Sequence, residues 1–376
     1  MILLVKPIRV YLNVGEHPIY KDLVAYPPKG IVYSGFKKSE KPVAIYSPIS
    51  NIRRRYITKV QSLLKIPRMS FIKTDADLIH SSRGILVLND KPWVMDIEHV
   101  LSFVGHNQNT LNSNYCRNLI QKFLLNGNCK KIMPHSNAAK KSITSVFPQK
   151  RIFEKLETVY PAIKPERGKR TKGDNLTLLF VGLHFYDKGG KEVVDAFNKL
   201  KQKYDINLIV KSNVDRKFIN ENKDITFITE IIPRRKLLDL YASSDIFVFP
   251  TYIDTFGMVL MDAMANSLPI VATDVFSTPE IVENGKNGFL VHSDLSVWDK
   301  DGLNKWYKNY SEFKMKLLQP KKQLVGRIVD KTSVLIENSS LRRKMGKHGN
   351  DLVREGKFSI DLRNRKLKNI YEGALA

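Results

Sequence analysis

From residue 174 to residue 291 the chain alternates short apolar runs with stretches of helical period, and no other feature limits its fold so tightly. NLTLLFVG (175–182) reads as a strand buried on both faces and ending at a glycine. KGGKEVVDAFNKLKQKY (188–204) puts Val193, Val194, Phe197 and Leu200 on one helical face. INLIVKS, ITFIT, DIFVFPT and LPIVATD repeat the strand pattern, with RRKLLDLYASS and TFGMVLMDAMANS as helices among them. This pitch predicts βαβ units, hence an α/β domain with a parallel sheet covered on both faces.

The first half is less regular but similar in kind. IRVYLNVG, GIVYSG, PVAIYSP, DLIHSS, GILVLN and KPWVMDIE read as strands. KKIMPHS and ETVYPAIK read as a later strand pair around the helix NAAKKSITSVF. The charged, apolar-poor KPERGKRTKGD (164–174) reads as a linker. With 376 residues there is room for two domains. We therefore expect Rossmann-like domains over 1–165 and 174–356, with a cleft outside the carboxyl ends of their strands. Residues 296–325 read as an insertion or surface helix. IVDKTSVLIENSSLRRKMGKHGNDLVRE and LRNRKLKNIYEGAL read as two terminal helices.

Charge narrows the choice of partner. Residues 1–165 hold 26 basic and 10 acidic side chains, which is +16 of a formal net charge of +25. The N-terminal half is thus expected to meet something anionic. Arg53, Arg54 and Arg55, with Lys37, Lys38, Lys41, Lys59, Lys65 and Arg68, interleave with Ile52, Tyr56, Ile57, Leu63 and Leu64. Such a segment reads either as a solvated face or as a basic amphipathic helix at an anionic membrane surface. The apolar run at the N-terminus meets charge at once and reads as a strand rather than a signal peptide. No stretch has the roughly 18–20 apolar residues that span a bilayer, so a cytoplasmic protein, peripheral on the membrane's inner face, is expected. Cys116 and Cys129, the two cysteines, form no zinc motif and read as reduced structural thiols.

The segment 249–291 carries the chemistry. Asp254 falls in the loop after a buried strand, and Thr255, Phe256 and Gly257 open the helix that follows, with Met258 at its start. Backbone N–H groups at a helix N-terminus form a diphosphate cradle that needs no metal. Gly257 allows close approach of the backbone to a phosphate. Asp262 stands two helical turns on, where a carboxylate can accept from vicinal ribose hydroxyls.

This segment resembles the signature of retaining GT-B glycosyltransferases, in particular glycosyltransferase family 4, whose pattern holds two Glu with seven residues between them. The matching positions are Pro250, Thr251, Asp254, Phe256, Gly257, Asp262, Ala263, Met264, Ala265, Pro269, Ile270, Val271 and Ala272. Both acidic positions are Asp, and the family's Gly before the Pro is missing, since Asn266-Ser267-Leu268 stands there. LLFVGLHFYDKGGKEVVDAF resembles the family's strand, loop and helix in which an Arg and a Lys neutralise the donor diphosphate. Lys188 fits that Lys, with Gly189 and Gly190 after it, while Leu183 holds the Arg position; His184, Arg234 and Lys211 are candidate replacements. The resemblance further implies Glu280 as a donor contact, and Gly15 as the glycine of the first loop. It implies Glu98 or His99 as the residue beside the transferred sugar, and a last helix, 357–376, crossing back onto the N-terminal domain.

The implied activity is retaining transfer of a sugar from a nucleotide-sugar donor to an acceptor hydroxyl, on a lipid-linked or membrane-surface glycan. Asp254, Glu98 and His99 would be the catalytic groups, with no metal or other cofactor. A GT-B epimerase or phosphorylase would need residues not seen here. The other class is a catalytically weakened GT-B protein, or a basic protein binding nucleic acid or another anionic surface; nothing resembles a nucleic-acid motif.

Overall fold

A computed structural model describes residues 6–13, 19–36, 60–61, 63–171, 173 and 175–376. Gly15, the PVAIYSP run and most of the basic segment, from Lys37 through Lys59, lie outside the described residues. The chain divides into two compact units, one made of Met1–Ile163, Lys300–Tyr307 and Phe358–Ala376, the other of Lys164–Asp299 and Lys308–Lys357.

In the first unit the described strands are β1 (Ile8–Asn13), β2 (Ile31–Ser34), β3 (Leu78–Ser81), β4 (Trp93–Ile97) and β5 (Cys129–Pro134). They form a parallel sheet in the order β2-β1-β3-β4-β5. The central strands β3 and β4 are buried along their whole length, which is why their sequences are apolar runs rather than alternations. GILVLN contributes only Leu86–Val87, paired with Met69–Ser70 in a separate ribbon. ETVYPAIK is only in part the strand expected of it: after a bridge from Leu156 to Ile132, the N–H groups of Glu157 and Val159 donate to the Ile132 and Pro134 carbonyls at 3.0 Å, without forming a regular strand. Pro161 lacks the N–H that continued pairing would need.

The C-terminal helix Ile360–Leu375 packs on this sheet, burying Leu367, Ile370, Tyr371 and Ala374 against Val10, Leu12, Leu78 and Val94. A buried polar chain ties it down. Tyr371 OH lies 2.8 Å from His80 Nδ1 and 3.1 Å from Tyr33 OH. His80 Nε2 is 3.1 Å from the Asp96 carboxylate, which also accepts from Tyr20 OH at 2.8 Å and the Arg83 N–H at 2.9 Å. Since Asp96 can only accept, His80 donates from Nε2, and its Nδ1 accepts from Tyr371. His135 Nε2 stands 3.3 Å from the same carboxylate. Burial alone would raise the Asp96 pKa, but the two histidines hold it well below the carboxylate range.

In the second unit the strands are β6 (Leu176–His184), β7 (Ile206–Asn213), β8 (Thr226–Ile228), β9 (Ile246–Phe249), β10 (Ile270–Thr273) and β11 (Gly288–Val291). They form a parallel sheet in the order β8-β7-β6-β9-β10-β11. The chain winds outward from β6 to β8, then returns to β9 beside β6. That reversal is a topological switch point, and ligands of open parallel sheets bind outside the carboxyl ends of the strands there. Helix Gly190–Leu200 buries Val193, Val194, Phe197 and Leu200, the face its periodicity picks out.

Two expectations need correction. IVDKTSVLIENSSLRRKMGKHGNDLVRE is not one helix but most of two, Lys322–Glu337 and Ser339–Arg354. Asn338 divides them with a side chain that caps the second by accepting from Leu341 N at 2.8 Å. The stretch 296–325 does hold a surface helix, Tyr310–Leu318, but it is not a simple insertion, because Lys300–Tyr307 belong to the first unit, where the Lys300 carbonyl accepts from Lys141 and the Gly302 carbonyl from His99 Nε2.

Candidate functional site

Two loops at the switch point of the second sheet carry the residues of interest. One follows β6 and runs through Lys188 and Gly189 into helix Gly190–Leu200; the other follows β9 and runs through Asp254 to Gly257, the N-cap of helix Met258–Ala265. Gly189 has φ +76°, and a Cβ there would sit 2.1 Å from the Pro250 carbonyl oxygen. The first loop is thus pressed against the second at a point only glycine allows. Gly257 also lies in the left-handed region, at φ +71°.

The Asp254 carboxylate joins the two loops. Its Oδ1 accepts from the backbone N–H of Thr255 at 2.8 Å, Phe256 at 3.2 Å and Gly257 at 2.9 Å. Its Oδ2 lies 2.9 Å from Lys188 Nζ, which also donates to the Ile253 carbonyl. A carboxylate here occupies the electropositive end of the helix, so the cradle's preference for negative charge is visible in the protein's own side chain. Trp298 Nε1 donates to the Asp254 carbonyl at 3.2 Å, and its ring lies tilted against Phe276 at 5.1 Å. Ser277 Oγ donates to the Thr255 carbonyl at 2.7 Å, and Thr273 Oγ1 to the Thr251 carbonyl.

Asp262 is nearly buried, and Arg234 holds it through both oxygens, at 2.6 and 2.5 Å. Burial opposes the charge on Arg234, yet the bonds to Asp262 outweigh it and hold the guanidinium pKa above its usual value. The Asp262 expected to face a ribose is therefore engaged by a cation in this structure. Phe256 is buried, Met258 is half-buried, and Glu280 is half-buried in the short helix Thr278–Ile281. Leu183, in the position of the missing Arg, is 42% exposed at the end of β6, beside the exposed His184. Lys211 lies on β7, in register with Val181 near the carboxyl end of β6.

Glu98 and His99 sit after β4 in the first unit. Glu98 pairs with Arg83 Nη2 at 3.0 Å and lies 3.7 Å from His106. Burial would raise its pKa, but His106 and Arg83 hold it well below the usual range. His99 is fully buried. Its Nδ1 accepts from Leu101 N at 3.0 Å, and its Nε2 donates to the Gly302 carbonyl. Burial lowers its pKa to about 4, the Gly302 bond opposing. With both nitrogens committed and no exposed surface, His99 is a neutral cap on the turn Val100–Val104, and the catalytic reading of it is withdrawn. Ser136 likewise caps helix Asn137–Val146, accepting from Ala139 N.

Sequence reasoning missed Trp298, Ser277 and Asp96. Trp298 and Ser277 reach the Asp254 loop only through the fold, 44 and 22 residues away from their partners. Asp96 stands inside the run read as a strand, and its buried position amid apolar neighbours was the signal available. Among the described residues no group of His, Cys, Asp or Glu is placed to hold a metal ion, and no helix is long and apolar enough to cross a membrane. Of the basic segment, Lys65 and Arg68 are described, and Arg68 donates to the Arg83 and Ser102 carbonyls rather than facing a surface partner.

Residues 163–323 match the sequence model of the glycosyl transferases group 1 family. The capsular polysaccharide biosynthesis glycosyltransferase CapM of Staphylococcus aureus is 26% identical over 226 residues, 58% of this chain. The chain spans about half the length of the curated relatives it matches, 51% in the case of CapM. Among solved structures, sucrose-phosphate synthase of Thermosynechococcus elongatus superposes with a TM-score of 0.64 at 13% identity, covering 97% of this chain and 98% of that one. Anabaena HepE, solved in complex with UDP and glucose, superposes with a TM-score of 0.61 at 13% identity, covering 97% and 99%. These likenesses give the fold, which is the GT-B type with two Rossmann-like units.

Proposed function

With residues 163–323 belonging to the group 1 glycosyl transferases, we propose that the chain transfers a sugar from a nucleotide-sugar donor, with retention of configuration, to a glycan or lipid-linked acceptor hydroxyl. The observation that carries this reading is the convergence of three backbone N–H groups and Lys188 on one carboxylate position at the switch point. An α-helix leaves its first N–H groups without intrahelical partners. Asp254 takes up the N–H groups of the loop, Leu260 N already donates to the Gly257 carbonyl, and those of Met258 and Val259 would receive a diphosphate. Lys188 and Arg234 then supply positive charge, Arg234 doing from the Asp262 side what Leu183 cannot.

In this reading the protein works mainly by position and electrostatics. The helix dipole and Lys188 stabilise charge that develops on the departing nucleoside diphosphate, which calls for no metal. Asp254 turns its Oδ2 toward the sugar, and Asp262 shares its oxygens between Arg234 and the ribose. Thr255, Phe256, Met258, Glu280 and Gly189 would complete the donor site within the second unit. HepE is solved with UDP and glucose, and CapM acts in capsular polysaccharide biosynthesis; both support a nucleotide sugar and a glycan here. The basic N-terminal half favours an acceptor with phosphate groups or at an anionic membrane face.

The test is a panel of nucleotide sugars followed by thermal shift, where a ligand at 100 times its Kd adds about 2.7 kcal/mol. One donor should shift the wild type, Lys188→Ala should weaken that shift at least tenfold, and the anomeric configuration of the product should match the donor. A donor that binds Lys188→Ala and Asp254→Ala as well as wild type would overturn the site assignment.

A further inference from the structure

We propose that the second unit carries a separate binding site for a phosphate-bearing ligand, in a cleft of about 540 Å³ at the amino ends of β9 and β10. Asp245, which precedes β9, and Pro269, which precedes β10, line it. The Asp254 cradle follows the carboxyl end of β9, so the two sites are separated by the length of the strand, about 13 Å for four residues. The inference does not rest on the transferase reading.

Charge and the way it is held point to a ligand. Arg167, Arg170, Arg342, Arg343 and Lys347 line the cleft against a single carboxylate, Asp245. That carboxylate is already occupied by Arg170 at 3.0 Å and the Thr177 N–H at 2.9 Å. Arg167 is fixed by neutral acceptors, Ser267 Oγ at 2.9 Å and Asn350 Oδ1 at 3.3 Å. Arg342 is fixed likewise by the carbonyls of Leu335 at 2.6 Å and Ile336 at 2.8 Å. These bonds orient two guanidinium forks without neutralising them, which preorganises them for the paired oxygens of a phosphoryl group. Burial and the neighbouring Arg343 lower the Arg342 pKa, and Asp245 offsets them only in part, so its charged state gains from a further anion.

Helix Ser339–Arg354 adds an independent sign. Its first turn holds no acidic residue, and Arg342, at the end of that turn, stands where the helix dipole disfavours a cation. Arg343 and Lys347 are four residues apart, a like-charge spacing that destabilises an isolated helix. Lys347 has Asp351 at 2.7 Å; Arg343, exposed, has no acidic partner among the described residues. An anion in the cleft relieves both conflicts. A volume of this size suits a small molecule.

Two sources share this chemistry, a soluble phosphate ester and a phospholipid headgroup, and two probes separate them. Sodium pyrophosphate binding is measured calorimetrically at low salt in a Lys188→Ala background, which takes the cation of the donor loop away. Adding Arg343→Gln and Lys347→Gln should weaken binding at least tenfold. Matching circular dichroism and unfolding midpoints in phosphate-free buffer would show that the variant is folded, and each single substitution should give a smaller drop. In parallel, retention on phosphatidylglycerol vesicles but not phosphatidylcholine vesicles, lost in the same variant, would identify a lipid headgroup. If the substitutions change neither pyrophosphate affinity nor vesicle retention, the site does not exist.

Discussion

Arg234 grips both oxygens of Asp262, at 2.6 and 2.5 Å, across 28 residues of sequence. Asp262 is almost wholly buried, while the Arg234 side chain is 45% exposed, so the two do not contribute alike. Removing the arginine strands a desolvated carboxylate; removing the aspartate leaves a cation that water can reach. Arg234→Ala should therefore destabilise by about 1–3 kcal/mol, and more than Asp262→Asn. In a double-mutant cycle by urea unfolding the coupling should be no more than about 1 kcal/mol, because the arginine's exposure screens it. Equal losses for the two single variants would contradict this picture.

Gly189, at φ +76°, faces the Pro250 carbonyl where an added Cβ would sit 2.1 Å from its oxygen. Gly189→Ala faces both a left-handed backbone penalty of about 1–2 kcal/mol and a clash with main chain that cannot rotate away. The loops must part, which moves Lys188 from Asp254. A fall in unfolding temperature of at least about 4 °C is expected, together with weaker donor binding. A variant with wild-type unfolding and wild-type donor affinity would show that the two loops are not locked together.

Much of the second unit was legible because its strands are buried on both faces, so DIFVFPT and LPIVATD show as apolar runs between turn residues. The acidic pair and Lys188 were legible through spacing and resemblance. The pairing of Asp262 with Arg234 was not, since nothing local links a residue on one helix to another 28 positions earlier. Asn338 was passed over because a lone Asn reads equally as a helix interior or as a cap, and only the backbone decides. ETVYPAIK was half legible: its alternation predicts an extended chain, and Glu157 and Val159 do bond to β5, but Pro161 cuts the pairing short. His99 misled for a different reason: a histidine after a strand looks reactive until burial and two filled nitrogens are seen.

Tyr371 carries the hydroxyl that links the C-terminal helix to His80, at 2.8 Å, and to Tyr33, at 3.1 Å. Tyr371→Phe keeps the ring and its buried area while leaving His80 Nδ1 without its donor. The expected loss is about 1–3 kcal/mol, the range for an unsatisfied buried polar group. Amide exchange along Ile360–Leu375 should speed up more than along helix Gly190–Leu200 of the other unit. Uniform protection changes in both helices would mean that this bond does not anchor the C-terminal helix.

The lowered pKa of His99 fixes the sign of a pH effect. The folded protein keeps this imidazole neutral down to about pH 4, whereas the unfolded chain protonates near 6.5. Between those values the unfolded state binds the extra proton, so stability is complete above about pH 6.5 and falls as pH drops toward 4. A shift of this size corresponds to a loss on the order of 3 kcal/mol over that window. Glu98 and Asp96, with depressed pKa values, lose their contributions only below the usual carboxylate range, at more acidic pH. His99→Asn keeps an acceptor for the Leu101 N–H and removes the titration. Unfolding free energies of wild type and variant, measured from pH 4 to 7, should converge toward low pH as the wild type loses its excess. Parallel curves over that range would show that His99 is not held neutral by the fold.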